Sequence, residues 1–247
     1  MPAIDITLVS GRRPELLART LASFGERLFS HFPIANLFAN IDPFGGSPRE
    51  GEACRELILK AFPRAQIHMP ASACFGLAVQ SLWAKSRSGV IFHLEDDWVA
   101  LSDIRPEMVF PKLEGATKAL KLVAKPYRFG PPQSFQKRPI KLFNITVAHG
   151  RDNVFSTSPS FYDGAFARHC AGLMRPELDP EKQMHPAINP ALHGYMNHFR
   201  CGRVSGTRQN HHQLIADIGR EWRADRGIVK AVEAGKSIWT ADAGGMA

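Results

Sequence analysis

Four short apolar runs alternate with segments of helical apolar spacing in the first hundred residues, and this alternation constrains the fold more than any other feature. The predicted strands cover residues 4–9, 34–41, 66–69 and 90–94, and the predicted helices cover residues 14–28, 49–61 and 75–83. Parallel neighbouring strands need crossover connections, which helices supply. The pattern therefore predicts an α/β fold with a mostly parallel sheet and helices on both faces.

The second half of the chain is less regular because prolines interrupt it. Its patterns predict a strand over residues 140–147 and helices over residues 163–170, 211–223 and 229–239. This half does not repeat the first. We expect one continuous domain whose first half, residues 1–101, carries the regular sheet and whose second half, residues 102–247, is an added region.

Composition excludes several classes of protein. With 247 residues, 44% of them hydrophobic and 22% charged, the chain is neither disordered nor collagen-like. No run approaches the roughly 18 apolar residues of a membrane span, so we expect no transmembrane segment and no signal peptide. The cysteines, at positions 54, 74, 170 and 201, form no C-x-x-C pair. This spacing predicts reduced thiols and a cytoplasmic protein.

The positive charge is concentrated in one stretch, residues 115–151, which we call the basic segment. It contains no Asp or Glu, and its basic residues are Lys118, Lys121, Lys125, Arg128, Lys137, Arg138, Lys141 and Arg151. These residues account for the whole formal net charge of +8. Such a segment favours a polyanionic partner, although a solvated positive face without a partner has the same composition.

Carboxylates follow two of the predicted strands at the point where each strand ends. Glu95, Asp96 and Asp97, called here the acidic triplet, come directly after the fourth strand, and Asp42 follows the second. In open α/β sheets ligands bind beyond the carboxyl ends of the strands. Crowded carboxylates repel one another, and Mg²⁺ or Mn²⁺ relieves that repulsion. A solvated acidic turn that caps a helix is the alternative.

The order of these motifs resembles that of the GT-A-type glycosyltransferases, in particular the family 2-like members. The resemblance is carried by residues 6–21, where a Thr-Leu-Val-Ser strand leads to Arg-Pro-x-Leu-Leu, by residues 40–42, and by residues 92–98. It covers about the first 100 residues well and the rest loosely. It implies a GT-A fold and transfer of a sugar from a nucleotide-sugar, most simply a UDP-sugar, to an acceptor hydroxyl with inversion.

The resemblance also assigns roles on the donor side. The triplet would stand for the family's D-x-D motif, which holds Mn²⁺ or Mg²⁺ on the diphosphate. Here it reads Glu-Asp-Asp, so both Asp96 and Asp97 remain candidate metal ligands, beside Glu95. Residues 1–101 would form the nucleotide-sugar-binding half and residues 102–247 the acceptor-binding half. Asp42 would lie against the nucleotide base or ribose.

The turn after the first strand would approach the nucleotide through Ser10, Gly11 and Arg13, with the arginine suited to phosphate. A plain tight turn between a strand and a helix explains Ser10 and Gly11 equally well. Some GT-A enzymes complete the metal shell with a histidine near the C-terminus, and His211 or His212 would take that place. The alternative for either histidine is a residue at the start of the predicted helix.

Inverting transfer needs a general base for the acceptor hydroxyl. Glu181 is the leading candidate, because it follows Asp179-Pro180 downstream of the triplet, where the family carries its base. Asp163 is the competitor. Either carboxylate is also a suitable helix cap or first-turn acid. Trp98, directly after the triplet, is expected to shape the pocket.

The basic segment interleaves basic and aromatic residues, which suits an anionic acceptor, either a glycan or a nucleic acid. We favour a glycan, and an enzyme that glycosylates a modified DNA base is an alternative. A sugar nucleotidyltransferase would need a glycine-rich turn after the first strand, and a processive synthase would need membrane spans and a Q-x-x-R-W segment. A non-catalytic nucleic-acid-binding protein would leave the triplet unexplained.

Overall fold

A computed structural model describes the backbone of residues 1–125, 127–128, 135–142, 145–153, 155–204, 210–233 and 236–241. Side chains are described for residues 1–125, 155–204 and 212–229. The strands of this part of the chain are β1 Ile4–Ser10, β2 Ile34–Ile41, β3 Gln66–His68, β4 Val90–Glu95, β5 Trp98–Ala100, β6 Thr117–Lys121, β7 Tyr127–Arg128, β8 Phe135–Leu142, β9 Ile145–Asn153, β10 Ser160–Asp163, β11 Arg200–Arg203, β12 Asn210–His211, β13 Ile215–Asp217, β14 Ile228–Glu233 and β15 Lys236–Ala241.

The α-helices of the described residues are α1 Pro14–Phe24, α2 Pro48–Ala61, α3 Phe75–Lys85, α4 Pro106–Val109, α5 Gly164–Leu173, α6 Pro190–Asn197 and α7 Gly219–Ala224. A π-helical turn, Gly25–Phe29, extends α1, and 3₁₀ turns lie at Phe110–Lys112 and Lys182–Met184. Ser47 begins α2 with a reciprocal capping box to Glu50. Every strand and helix predicted in the first hundred residues is therefore confirmed.

The central sheet has seven strands in the order β11-β6-β10-β4-β1-β2-β3. β1 runs parallel to both β2 and β4, β2 runs parallel to β3, and β6 runs parallel to β11. β10 is antiparallel to its two neighbours. The prediction of a mostly parallel sheet is confirmed, and the sheet takes strands from both halves of the chain.

Helices cover both faces because successive side chains of a strand point to opposite sides. On one face, Ile6 and Leu8 of β1 pack in a cluster with Leu17 of α1 and Ile58 of α2. On the other face, Val9 packs in a cluster that contains core residues of α3 and α5. Full burial of β1 between these layers fixes the position of the turn that follows it.

Three predictions for the second half are wrong. Residues 140–147 belong to a hairpin of β8 and β9, and residues 229–239 form the hairpin of β14 and β15 instead of a helix. The predicted helix over residues 211–223 is divided among β12, β13 and α7. β13 pairs with β5, and this long-range pairing overrides the helical spacing of the segment. The helix predicted over residues 163–170 is present as α5.

A buried histidine links β1 to β4. The ring of His93 is fully buried, and its Nδ1 accepts a hydrogen bond from the Trp83 indole N–H (3.2 Å) and lies 2.9 Å from the Thr7 hydroxyl. The neutral ring therefore carries its proton on Nε2, which has no hydrogen-bond partner among the described residues. Burial lowers the pKa of His93 from 6.5 to about 3, because a charged ring would lose its hydration there.

This shift predicts a pH-dependent stability. The unfolded chain binds a proton at His93 near pH 6.5, whereas the folded chain does not until about pH 3, so stability falls as the pH drops through that window. We expect His93 to account for a loss of about 2 kcal/mol between pH 6.5 and about pH 4.5. Urea unfolding of the wild type and of His93→Gln at both pH values measures it. Equal pH slopes for the two proteins would contradict the assignment.

Candidate functional site

A cleft of about 570 Å³ opens at the carboxyl ends of β1, β2 and β4. It is where the sheet topology predicts a ligand. Its walls come from the turn after β1, the loop after β2, the acidic triplet, two loops of the second half, and the segment joining β13 to α7. Of the predicted site residues, those that line it are Ser10, Gly11, Arg13, Asp42, Glu95, Asp96, Asp97 and Glu181, together with Trp98.

Asp96 is held by the turn after β1. Its Oδ2 accepts hydrogen bonds from the Ser10 hydroxyl (3.0 Å) and the Gly11 N–H (2.9 Å). A Cβ at Gly11 would come within 2.9 Å of the Phe44 carbonyl oxygen, so this close approach of two loops favours glycine. The turn therefore serves first to fix the carboxylate of Asp96, which is 1% exposed.

Arg13 joins the two aspartates of the triplet. Its Nε donates to Oδ2 of Asp96 (3.2 Å), its Nη2 donates to Oδ1 of Asp96, and its Nη1 lies 3.4 Å from Oδ2 of Asp97. The guanidinium also lies near the rings of Phe44 and Trp222. Burial opposes the charge of Arg13, but Asp96 and Asp97 outweigh that effect and raise its pKa. Both oxygens of Asp96 are thus occupied within the protein.

Asp97 is nearly as buried and has a second arginine partner. Arg223 Nη1 donates to its Oδ2 at 2.9 Å. The backbone at the start of α7 lies directly against this carboxylate, because a Cβ at Gly219 would fall 2.2 Å from Oδ2. Burial raises the pKa of Asp97 despite the opposing effect of its arginines. Unlike Asp96, it has no described hydrogen-bond donor on Oδ1.

Glu95 and Asp42 complete the acidic part of the cleft. Removal from water raises the pKa of Glu95 well above its usual range, and the charges of Asp97 and Glu181 add to that effect. Asp42 is 7% exposed, and its Oδ1 accepts from the Asn40 side-chain amide at 2.7 Å. Burial raises the pKa of Asp42 as well. Burial and crowding therefore favour the protonated forms of Glu95 and Asp42 in the absence of a cation.

Glu181 lines the cleft from the second half of the chain. Its Oε1 accepts from the Ser156 hydroxyl (2.6 Å) and the Thr157 N–H (2.9 Å). Oδ1 of Asp179 accepts from the Glu181 N–H at 2.9 Å and fixes the backbone of this turn. Oε2 of Glu181 has no hydrogen bond to any described residue. A carboxylate so oriented can accept a proton inside the cleft.

The structure does not bring the other predicted residues to the cleft. Asp163 pairs with Val90 at the amino end of β4, whereas the triplet lies at the carboxyl end of that strand. There it caps α5 through the Phe166 N–H (2.8 Å) and pairs with Lys118 at 2.9 Å. His212 is exposed and lies outside the cleft lining. The side chain of His211 lies outside the described part of the chain.

Most of the basic segment also lies outside the described side chains. Three of its basic residues have described side chains, Lys118, Lys121 and Lys125. Lys118 is neutralised by Asp163, and burial lowers the pKa of Lys121. Lys118 and Lys121 therefore contribute little free positive charge for a polyanion.

The segment from Asp217 to Arg223 belongs to the site, although its sequence pattern did not predict this. Asp217, Arg220 and Arg223 all line the cleft. Oδ1 of Asp217 accepts from the N–H groups of Gly219 (2.9 Å) and Arg220 (3.2 Å), so Asp217 acts as a cap for α7. An Asp just before the first residues of a helix is a helix-start signal, and it could have divided the predicted long helix at this point.

The cleft has a large excess of acid. Its three lining arginines are Arg13, Arg220 and Arg223, and its eight lining acids are Asp42, Glu95, Asp96, Asp97, Glu177, Asp179, Glu181 and Asp217. Among the described residues, no group of three or more metal-ligating side chains forms a cage for an ion. Mg²⁺ and Mn²⁺ are commonly held by one or two carboxylates together with phosphate oxygens and waters. The donor set fits an ion shared between Asp97 and a bound phosphate.

The fold is that of the GT-A glycosyltransferases. A mannosyltransferase from Pyrobaculum calidifontis, in complex with GDP-Man and Mn²⁺, matches with a TM-score of 0.53 and 9% identity over 82% of this chain and 54% of that chain. S. aureus TarS 1-349 with UDP-GlcNAc matches with a TM-score of 0.51 and 12% identity over 85% of this chain and 58% of that one. GalNAc-T7 with UDP, GalNAc and Mn²⁺ matches with a TM-score of 0.53 and 10% identity over 87% of this chain and 43% of that one.

At such identities the likeness establishes the fold, and the fold resemblance predicted from the sequence is confirmed. The chain spans about half the length of these solved structures. No family model and no curated protein matches the sequence. All four cysteines are free thiols, as predicted. None of the described helices is both long and apolar enough to cross a lipid bilayer.

Proposed function

We propose that this protein is a glycosyltransferase that moves a sugar from a nucleotide-diphosphate sugar to an acceptor hydroxyl with inversion. The observation that carries the proposal is the convergence in one cleft of the turn after β1, Asp42, the acidic triplet and Glu181. The GT-A fold of the chain supports it, since this cleft lies at the carboxyl ends of the parallel strands.

On the donor side, Asp42 and the turn after β1 would bind the nucleoside, and the triplet would face the diphosphate. Of Asp96 and Asp97, Asp97 is the one available to a divalent ion, because both oxygens of Asp96 are occupied by Ser10, Gly11 and Arg13. Bound there with the diphosphate, Mn²⁺ or Mg²⁺ would supply Lewis-acid stabilisation of the leaving group. Asp96 then acts as a positioning residue that holds Arg13.

On the acceptor side, Glu181 would accept the proton of the attacking hydroxyl through Oε2. The acceptor oxygen forms a bond to the anomeric carbon while the bond from that carbon to the diphosphate oxygen breaks. The nucleoside diphosphate leaves with the electron pair, and the proton stays on Glu181. A single displacement of this kind inverts the anomeric centre. The acceptor we propose is an anionic glycan, with a nucleic acid as the alternative.

Calorimetry tests the donor site. We would titrate a panel of nucleoside diphosphates and nucleotide-sugars, with UDP compounds first, into the protein in the presence of Mn²⁺ and again with EDTA. We expect one nucleotide to bind with Mn²⁺ and to lose at least about tenfold in affinity, or 1.4 kcal/mol, in EDTA and with Asp97→Asn. The matched control is Asp225→Asn, an exposed aspartate beyond α7 and outside the cleft lining.

Two outcomes would contradict this proposal. Failure of every nucleotide to bind the wild type would show that the cleft is not a nucleotide-sugar site. Equal affinity of the wild type and Asp97→Asn in the presence of Mn²⁺ would remove the role of Asp97. Product analysis after incubation with the selected nucleotide-sugar, by NMR of the anomeric proton, then distinguishes inversion from retention.

A further inference from the structure

The segment from Asp217 to Arg223 follows the acidic triplet closely along the wall of the cleft. In the pairing of β13 with β5, Asp217 lies opposite Trp98, the residue after the triplet. The N–H of the next residue, Ile218, donates to the Asp97 carbonyl oxygen at 2.9 Å. The start of α7 therefore lies directly beside Asp97 in the wall of the cleft.

Trp222 fixes α7 in this place. It is 7% exposed and packs in a cluster with Leu16 of α1 and Ile218. Its indole N–H donates to Oε1 of Glu15 at 2.5 Å, and the guanidinium of Arg226 lies 4.2 Å from the centre of its ring. These contacts attach the segment to α1, which packs against the central sheet. The side chains on the cleft side of the segment are therefore held by a rigid element.

The arginines of the cleft differ in their exposure and in the number of carboxylates to which they donate hydrogen bonds. Arg13 and Arg223 are 8% and 20% exposed and both donate to the carboxylates of the triplet. Arg220 is 71% exposed, and its one described side-chain hydrogen bond runs from Nε to Oδ2 of Asp217 at 2.8 Å. Its Nη1 and Nη2 have no hydrogen bond to a described residue.

This arrangement leaves a guanidinium fork available to a ligand. Asp217 binds Nε and the backbone N–H of Arg220, which restricts the side chain and leaves its two terminal nitrogens. Such a fork matches two oxygens of a phosphate group. Arg13 and Arg223 already donate to the carboxylates of the triplet, whereas Arg220 forms its ion pair with Asp217 through Nε alone and is the most exposed of the three lining arginines.

We propose that Arg220, positioned by Asp217, binds a phosphate group of the diphosphate ligand of this cleft. The proposal rests on the proposed function, whose donor carries such a group. It makes Arg220 a binding residue and Asp217 a positioning residue. It also assigns part of the donor site to the second half of the chain, beside the triplet from the first.

The test is calorimetric titration of the full chain with inorganic pyrophosphate, UMP and UDP, with GDP as a second base, all with Mn²⁺ present. We expect Arg220→Met to weaken pyrophosphate and the diphosphate nucleotides at least about tenfold and UMP less. Arg220→Lys should recover part of the loss, and Asp217→Asn should show a smaller loss than Arg220→Met. Because Arg220 is exposed, the thermal unfolding midpoint of Arg220→Met should match that of the wild type.

Arg19→Met is the matched control, since Arg19 is an exposed arginine of α1 outside the cleft lining. Equal affinities of Arg220→Met and the wild type for pyrophosphate and UDP would overturn the inference while the proposed function stands. Pyrophosphate binding that depends on Arg220, without binding of any nucleotide, would support Arg220 as an anion-binding residue and overturn the donor. A wild type that binds neither would overturn both.

Discussion

Replacing Arg13 with methionine is expected to lower the free energy of unfolding by about 3–5 kcal/mol. Arg13 is 8% exposed and is the shared partner of Asp96 and Asp97, which are 1% and 6% exposed. Without it, Asp96 keeps only neutral donors, and Asp97 keeps Arg223 as its described charged partner. The cost is that of leaving buried charge uncompensated, which exceeds what the ion pair adds to a well-packed core.

Urea unfolding of the two proteins at neutral pH measures this effect. Arg19→Met is the matched control, because Arg19 is an exposed residue of the same helix and its loss should change stability by no more than about 0.5 kcal/mol. In a double-mutant cycle, Arg13→Met combined with Asp96→Asn should cost clearly less than the sum of the single changes. Additive losses, or a loss below about 1 kcal/mol for Arg13→Met, would show that the cluster does not depend on this arginine.

Replacing Glu181 with glutamine is expected to reduce kcat by about 10²–10⁴-fold, on the proposed function, with donor affinity nearly unchanged. The amide oxygen of glutamine can still accept from Ser156 and Thr157, so the turn is retained. What is lost is the ability to hold the proton of the acceptor hydroxyl. Turnover is measured with the nucleotide-sugar selected by calorimetry, and donor affinity is measured in the same variant.

Glu177→Gln provides the matched control for this change. Glu177 is an exposed glutamate that lines the same cleft on the same loop region, and it accepts none of the described hydrogen bonds that fix Glu181. If both variants lose activity to the same extent, the charge of the cleft and not a base at Glu181 is responsible. If Glu181→Gln turns over like the wild type, Glu181 is not the base.

The sequence predicted the first half of the fold because its signals are local. Apolar runs of strand length, Pro14 and Pro48 at helix starts, and the loop between β2 and α2 specify these elements within a few residues. The position of the acidic triplet followed from the same reasoning, since ligands of a parallel sheet bind beyond the carboxyl ends of its strands. Ser10, Asp42 and Glu95 were found in this way.

The second half was predicted less well because its structure depends on contacts between distant parts of the chain. Leu214, Ile218 and Trp222 have helical spacing, yet the strand β13 forms there because β5 offers it hydrogen bonds across the fold. From the sequence, Glu181 was the leading candidate base and Asp163 was its competitor. Because β10 is antiparallel to β4, Asp163 lies beside the amino end of β4, away from the triplet. The turn around Asp179, in contrast, brings Glu181 into the cleft.

The sequence by itself determined the α/β class, the parallel strands of the first half and the carboxylates at their ends. Only the tertiary structure decided which of those carboxylates are neutralised, since the arginines that do so come from the turn after β1 and from α7. It also decided that Arg220 faces the same cleft as the triplet. The physical reason is that periodicity encodes burial of neighbouring residues, while charge pairing depends on distances that the folded chain alone sets.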